Sequence, residues 1–351
     1  MAMVGEVTPV SVDPAAAGRD FWARYHVFRR ARQKASRPDD PLSPDAEEET
    51  LMKRVDPFEA HERFEVSRDG TMLGWLDGKT VTPRSPEYET NKHLYDADFY
   101  VLPEHRRQGV GTSFLPVIVD RMRACGATTV SLWADEEPGH EFARWAGAEP
   151  KMTNIESRLK LSAVDWSMLE RWVEEGKARS PQTRMEIYDG PLPEAMWADY
   201  APQLSSLLNT IPFEGLDHGT IVITPDQMRE FYARLAVLGT VQHTVLTREP
   251  SGVISGITDT GWAPHHRTIV YQWFTGVRAD ARGRGLGKWI KAAMLLHLRE
   301  RHREVEWIST DNAGSNAPML KINRTMGFRT YREGAIYQIT LAGLEKRLVT
   351  L

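Results

Sequence analysis

The stretch Arg282-Gly283-Arg284-Gly285-Leu286-Gly287 decides the fold. It follows a β-branched, apolar run that predicts a strand over 268–277, and it precedes a run that predicts a helix over 288–301. Glycines at such a junction let the backbone turn tightly and leave its N–H groups exposed. N–H groups at the start of a helix, at the positive end of its dipole, attract anions. The stretch therefore predicts an anion cradle, and the anion that we expect is a pyrophosphate.

A looser copy of this stretch, Arg106-Arg107-Gln108-Gly109-Val110-Gly111, lies in the first half of the chain. It too stands between a predicted strand, over 95–102, and a predicted helix, over 112–123. Before each copy comes a predicted hairpin, which in the first half turns at Asp69-Gly70. After each copy come a strand, a helix and a glycine, at Gly147 and Gly327.

A repeat of this length indicates duplication of a whole domain. The 351 residues also fit two domains better than one. We place the boundary near residue 180, in a polar stretch, which gives an N-terminal domain over 1–180 and a C-terminal domain over 181–351.

Composition excludes several classes of protein. There are 44 basic and 48 acidic side chains, a net charge of −4, which gives no support for nucleic-acid binding. No apolar run reaches the length of a bilayer span, and the N-terminus lacks the pattern of a signal peptide, so we expect a cytoplasmic protein without a membrane partner. Cys125 is the only cysteine, and we expect no metal site. Nothing in the sequence indicates an oligomeric state.

Two other nucleotide-binding motifs fit poorly. A Rossmann fingerprint needs a third glycine in register, which neither junction has. A P-loop needs Gly-Lys-Ser or Gly-Lys-Thr, and neither occurs in the chain.

The order strand, Arg-x-x-Gly-x-Gly, helix, strand, short helix, Gly-Phe resembles that of the GNAT N-acetyltransferase superfamily. The resemblance is close over 185–351 and looser over 20–161. The tandem layout is similar to that of two-domain acetyltransferases such as the mycothiol synthases. The resemblance implies an α/β fold of two GNAT-like domains, each a mixed, mostly antiparallel, splayed sheet flanked by helices.

For function, the resemblance implies acetyl-CoA as co-substrate and direct transfer of its acetyl group to a small-molecule amine. We expect the C-terminal domain to be the catalytic one, and the N-terminal domain to be degenerate or a second acyl-CoA binder. Two other classes remain open: a protein N-acetyltransferase and a non-catalytic acyl-CoA-binding module.

The resemblance also assigns residues to the co-substrate. In the C-terminal domain the pyrophosphate ligands are Arg282, Gly283, Arg284, Gly285, Leu286, Gly287 and Lys288. In the N-terminal domain they are Arg106, Arg107, Gln108, Gly109, Val110, Gly111 and Thr112. The side chains of Arg282 and Arg284 either reach the phosphates or are ordinary surface arginines. Asn312 and Asn316 either bond the pantetheine arm or cap a helix.

Catalytic roles follow from the same resemblance. The N–H of Val277, or of Val101 in the first domain, is expected to contact the thioester carbonyl and stabilise the oxyanion. The tyrosine that many of these enzymes use as general acid is replaced by Asn323 and Ala143, so thiolate protonation needs another source. For deprotonating the amine, the strand before the second cradle offers Tyr271 and Gln272, and Asp259, His265 and His266 lie just upstream of it. In the first domain, Asp96 and Asp98 either bind a cationic amine or face solvent.

Overall fold

The structure, a computed structural model, describes residues 7–350, so the first six residues and Leu351 of the predicted domains lie outside the described residues. The strands are β1 (Val10–Val12), β2 (Glu59–Arg68), β3 (Thr71–Val81), β4 (Leu94–Val101), β5 (Thr129–Ala134), β6 (Glu149–Lys160), β7 (Arg184–Asp189), β8 (Val241–Arg248), β9 (Ile254–Trp262), β10 (Ile269–Val277), β11 (Trp307–Ala313) and β12 (Arg329–Thr340).

The helices are interspersed among these strands along the chain. They are α1 (Arg19–Ser36), α2 (Asp45–Lys53), α3 (Tyr88–Asn91), α4 (Val110–Cys125), α5 (Glu137–Ala146), α6 (Trp166–Arg179), α7 (Trp197–Leu208), α8 (Pro225–Val237), α9 (Leu286–Arg301), α10 (Ala317–Met326) and α11 (Leu341–Val349). Within residues 7–350, no helix combines the length and the apolar character that crossing a lipid bilayer requires.

The chain folds into two compact units. Unit 1 comprises the described residues up to Met152, the short segment Gly215–Gly219, and the described residues from Gly334 onward. Unit 2 comprises Thr153–Glu214 and Thr220–Glu333.

Unit 1 is built on a sheet with the strand order β1-β2-β3-β4-β5-β12. All neighbours are antiparallel except β4 and β5, which are parallel. One face of this sheet packs on α4 through fully buried residues such as Phe114 and Ile118, which contact a core that includes Leu76 and Val130.

Unit 2 repeats this plan with the order β7-β8-β9-β10-β11-β6, in which only the β10–β11 pair is parallel. Its core joins α9 to the sheet through Ile290 and Leu295, and Val270 and Ile308 lie in the same cluster. The predicted fold of two mixed, mostly antiparallel sheets flanked by helices is thereby confirmed.

The unit boundaries differ from the predicted boundary at residue 180. β6 follows α5 directly in the chain, yet from residue 154 onward it pairs antiparallel with β11 in unit 2. The final strand β12 pairs with β5 and completes the sheet of unit 1. Helix α6 belongs to unit 2, because Leu169 and Trp172 lie in its core and a Cβ at Gly176 would clash with the indole of Trp289. Alternation of hydrophobic residues predicts that a segment is a strand, but it does not predict which distant strand that segment pairs with.

Candidate functional site

The anion cradle of unit 2 is the turn between β10 and α9. Gly283 and Gly285 both adopt the left-handed conformation, with φ of 80° and 83°, and Gly285 is the N-cap of α9. The first intrahelical hydrogen bond runs from Trp289 N–H to Gly285 O at 3.1 Å, so the N–H groups of residues 286–288 point out of the helix end. Successive N–H groups in such a turn form a concave anion nest. A Cβ at Gly285 meets only Arg179, at 3.6 Å, so its positive φ is what requires glycine.

Unit 1 has a similar cradle between β4 and α4. Gly109 is the left-handed N-cap of α4, with φ of 84°, and its carbonyl accepts the N–H of Ser113 at 2.9 Å. The position of Gly283 is taken here by Arg107, which is held at φ of 59°. A residue with a Cβ is strained in this region, so the first cradle is the less regular of the two.

The arginines of the cradles are held by their own units. Arg106 donates to Val101 O at 3.1 Å and to Glu136 Oε2 at 2.8 Å. Arg282 donates to Val277 O at 3.3 Å.

The side chain of Arg284 is 34% exposed and is engaged by three polar side chains of unit 2, which neither expectation for it described. It donates to Glu249 Oε1 at 2.9 Å, to Ser180 Oγ at 3.2 Å and to Thr183 Oγ1 at 2.5 Å. Burial opposes ionisation of Glu249, but hydrogen bonds from Ser255, Arg284 and Thr183 outweigh it and lower the pKa of that carboxyl. Arg284 therefore braces the turn through an ion pair.

A gap opens in each sheet beside the cradle. The parallel pairing of β10 with β11 runs from Ile269–Trp307 to Gln272–Thr310, and residues 273–277 continue beyond it. In unit 1 the pairing of β4 with β5 runs from Leu94–Thr129 to Ala97–Leu132, and residues 98–101 continue beyond it. The predicted splay of both sheets is confirmed.

The backbone of Val277 faces the gap. The N–H of the next residue, Arg278, donates to the carbonyl oxygen of Ser255 on β9 at 2.9 Å. Because successive residues of a strand direct their N–H groups to opposite sides, the N–H of Val277 points away from β9. In unit 1 the N–H of Leu102 donates to Leu73 O at 3.0 Å, so the N–H of Val101 likewise points away from β3.

The asparagines of unit 2 separate into two roles. Asn316 caps α10, since its Oδ1 accepts the N–H of Met319 at 3.3 Å. Asn323 is only 1% exposed, and its Nδ2 donates to Asn312 Oδ1 at 2.7 Å. Its own Oδ1 is buried and finds no hydrogen-bond partner within residues 7–350. An acceptor in this state favours an N–H donor from a bound molecule, because leaving it unpaired costs free energy.

Asp259 lies on the central strand β9 and is only 6% exposed. Its Oδ1 accepts the hydroxyl of Thr244 at 2.6 Å. Burial raises the pKa of this carboxyl to about 6, against the opposing hydrogen bonds from Thr244 and Gln242. A carboxyl with this pKa is ionised at neutral pH and still basic enough to accept a proton there.

Tyr271 stands elsewhere in the fold. It lies in the part of β10 that is still paired with β11, opposite Ser309, and its ring faces that of His266 at 6.3 Å. Asp259 on β9 lies opposite Phe274 of β10. Phe274 is beyond Gln272, the last residue of β10 that pairs with β11. The structure therefore brings Asp259, and not Tyr271, level with the gap.

One buried charge near the gap escaped the sequence analysis. Lys291 on α9 is 1% exposed, and its Nζ donates to Gln272 Oε1 at 2.5 Å. Gln272 in turn donates to Thr258 Oγ1 at 2.8 Å. Burial lowers the pKa of Lys291 to about 7. The only available signal was a lysine within the apolar run from Ile290 to Ala293.

Part of the chain matches a known family by sequence. The sequence profile described as the acetyltransferase (GNAT) family matches residues 26–147. A search of curated proteins finds no matching sequence.

Solved structures match nearly the whole chain. A tandem GNAT protein from the clavulanic acid biosynthesis pathway is 17% identical, with a TM-score of 0.71, over 96% of this chain and 99% of that one. A GCN5-related N-acetyltransferase from Sphaerobacter thermophilus is 16% identical, with a TM-score of 0.64, over 95% of this chain and 96% of that one. A glucosamine N-acetyltransferase region of a fungal multi-domain β-N-acetylglucosaminidase is 14% identical, with a TM-score of 0.62, over 95% of this chain and 38% of that one.

Proposed function

Because the chain carries an acetyltransferase (GNAT) family domain in residues 26–147 and has the fold of a tandem GNAT protein, we propose that it transfers the acetyl group of acetyl-CoA to a small-molecule amine, with unit 2 as the catalytic unit. The GNAT fold itself implies acyl-CoA-dependent N-acetyl transfer. The amine class and the choice of unit rest on the features described next.

The residues of unit 2 fit acetyl-CoA as co-substrate. The left-handed Gly283 and Gly285 and the first N–H groups of α9 suit a pyrophosphate. The buried Oδ1 of Asn323 suits an amide N–H, of which the pantetheine arm has two. When bound, acetyl-CoA supplies the activated acetyl group.

The single observation that carries the choice of unit 2 is Asp259. Its counterpart in unit 1 is Asp77, since each lies three residues after the glycine of its hairpin, Gly256 and Gly74. Asp77 is engaged by the guanidinium of Arg63 at 3.1 Å and by the imidazole of His61 at 2.8 Å. Asp259 has a hydroxyl partner and a raised pKa, which supports a role as base in unit 2.

The chain's own groups then divide the reaction. The carboxylate of Asp259 accepts the proton of the attacking amine, directly or through one water molecule. The N–H of Val277 stabilises negative charge on the carbonyl oxygen as the tetrahedral intermediate forms. The Nδ2 of Asn323 donates to Asn312 and an amide is not an acid at neutral pH, so solvent supplies the proton to the departing thiolate.

An aromatic surface beside the gap supports a small acceptor. Trp273 on β10 is 42% exposed, and its ring packs edge-on against Phe231 of α8 with centroids 5.8 Å apart. Exposed aromatic faces bind both cationic amines and sugar rings. Trp262, the last residue of β9, instead stacks on His302 with centroids 4.2 Å apart.

The test measures binding and turnover separately. Titration calorimetry with acetyl-CoA is followed by a free-thiol release assay against amino sugars, amino acids, polyamines and unstructured peptides. Release with a small amine, lost in Asp259→Asn while acetyl-CoA still binds, supports the proposal. Release with peptides alone would make the chain a protein N-acetyltransferase. Binding of acetyl-CoA without thiol release would make the chain an acyl-CoA-binding module. The replacement of the general-acid tyrosine by Asn323 and Ala143 favours that alternative.

A further inference from the structure

Three side chains of unit 2 converge at the end of α9 that lies farthest from the cradle. Asp189 ends β7, and His243 stands directly opposite it on β8. His297 lies in the penultimate turn of α9. Asp189 Oδ1 is 2.6 Å from His243 Nδ1 and 2.6 Å from His297 Nε2, and the three atoms lie within 4.8 Å of one another.

We propose that Asp189, His243 and His297 form a binding site for a transition-metal ion of the Zn²⁺ class. Two imidazole nitrogens and one carboxylate oxygen are a donor set that Zn²⁺ accepts with a fourth position left for water. Zn²⁺ bonds of about 2.0–2.2 Å in tetrahedral geometry place ligand atoms about 3.4 Å apart. Accommodating an ion therefore lengthens each 2.6 Å contact by about 0.8 Å, which a change in side-chain torsion supplies.

The groups around these ligands are those of an ordered metal site. The second carboxylate oxygen of Asp189 accepts Arg301 Nη2 at 2.8 Å. The second ring nitrogen of His243 lies 2.8 Å from His302 Nε2. The ring of His302 is fixed in turn by the indole of Trp262, stacked at 23°. Such outer groups hold a ligand in one orientation and one tautomer.

Exposure of the three side chains provides a route for the ion. The side chain of His243 is 2% exposed, that of His297 is 13% exposed and that of Asp189 is 31% exposed. The carboxylate thus stands at the mouth and the buried imidazole at the base. Two charged groups act on this region: Arg301 pairs with Asp189 and weakens cation binding, and Glu304 acts electrostatically on the adjoining His302.

The site is separate from the cradle and independent of the proposed acetyl transfer. His297 lies 12 residues after Gly285, about 18 Å along the helix at 1.5 Å per residue. An ion there ties the edge strand β7 and its neighbour β8 to the C-terminal end of α9. Because it binds the folded chain and not the unfolded one, it stabilises unit 2. This departs from the expectation that the protein has no metal site.

The test uses the full chain, purified without a histidine tag and stripped with a chelator. Titration with Co²⁺ is expected to give one equivalent with visible absorption bands of a low-coordinate site, and Zn²⁺ is expected to displace it and raise the melting temperature. His297→Ala and Asp189→Asn are expected to weaken binding at least 100-fold, and His302→Ala by about 10- to 100-fold. The matched control is His61→Ala, which removes a histidine that also pairs with an aspartate, Asp77 at 2.8 Å, and should leave binding unchanged.

Two results would overturn the proposal. One is a stripped wild-type chain that shows neither Co²⁺ bands nor a melting shift with Zn²⁺, which makes the cluster a hydrogen-bonded one only. The other is equal Co²⁺ binding by the wild type and by a His297→Ala variant with native circular dichroism. The wild-type spectrum decides the matter even where a variant fails to fold.

Discussion

Asp259 and Asp77 occupy equivalent positions in the two sheets, yet the first is a buried carboxyl bonded to the Thr244 hydroxyl and the second is paired with Arg63 and His61. Both units have the same succession of strand, glycine turn and helix around this carboxyl. The two copies then differ in the electrostatic surroundings of one carboxyl. Burial without a cation raises the pKa of Asp259 to about 6, where a base is useful near neutral pH.

The first prediction concerns the pH dependence of acetyl transfer. Asp259 accepts a proton only when ionised, so kcat/KM for the amine should rise tenfold per pH unit below about 6 from this group and level off above it. Asp259→Asn should lower kcat by at least 100-fold. A thiol-release assay between pH 5 and 8 measures both, and an unchanged profile in the variant would remove Asp259 from the mechanism.

The second prediction concerns the free energy of unfolding that the protein loses because Asp259 is buried. The pKa of Asp259 is raised on folding, so the unfolded chain releases its proton first and stability is lost as pH rises from about 3.8 to about 6. At 1.36 kcal/mol per pKa unit the penalty above pH 6 is about 3 kcal/mol. Asp259→Asn should therefore raise the free energy of unfolding at pH 7.5 and change it little at pH 4. Urea denaturation at the two pH values measures the difference, and destabilisation at pH 7.5 would contradict the argument.

The third prediction concerns Lys291, whose pKa burial lowers to about 7. Between about 7 and 10.5 the unfolded chain binds this proton and the folded chain does not, so stability rises with pH over that window. From pH 7 to 9.5 the gain from this group is about 3 kcal/mol. Lys291→Met should be more stable than the wild type at pH 7 and should lack this gain. The control is Lys321→Met on α10, an exposed lysine that should keep the wild-type slope.

The fourth prediction separates the two arginines of the cradle. Arg284→Ala removes the ion pair to Glu249 and the hydrogen bond to Thr183, so it should lower the free energy of unfolding by about 1–3 kcal/mol. Arg282→Ala removes an exposed side chain and should change stability little. Denaturation and acetyl-CoA calorimetry on both variants provide the measurement. Unchanged stability with tenfold weaker acetyl-CoA binding in Arg284→Ala would place that side chain at the phosphates instead.

Local backbone geometry could be predicted from the sequence because it depends on neighbouring residues. Gly109 and Gly285 adopt the left-handed N-cap conformation that their motifs demand. Asp69 and Gly70 turn the hairpin between β2 and β3 with φ of 49° and 77°. Each of these turns requires a residue that tolerates a positive φ, ahead of a helix or a strand with an apolar pattern. Both requirements can be recognised from the residue types alone.

Contacts between distant residues were not predictable in this way. β6 falls within the domain predicted over 1–180, and its pairing with β11 in unit 2 depends on a distant strand edge that no local pattern describes. In the sequence, Asn323 is recognised only as the residue that replaces the tyrosine of related enzymes. Its hydrogen bond to Asn312 forms only when α10 packs on the sheet. Asp189 and His297 are 108 residues apart in the chain and meet only in the folded unit.

The measurement that tests the central claim most directly is calorimetry of acetyl-CoA binding, coupled to thiol release, in Gly285→Glu. A carboxylate at this turn places negative charge where the pyrophosphate should bind. The matched control is Gly252→Glu, which puts the same residue at a glycine with φ of 87° and open space around it, in the β8–β9 hairpin. We expect Gly285→Glu to abolish acetyl transfer and the binding heat of unit 2, while Gly252→Glu retains both. Turnover by Gly285→Glu at the wild-type rate would contradict the assignment of unit 2 as the catalytic unit.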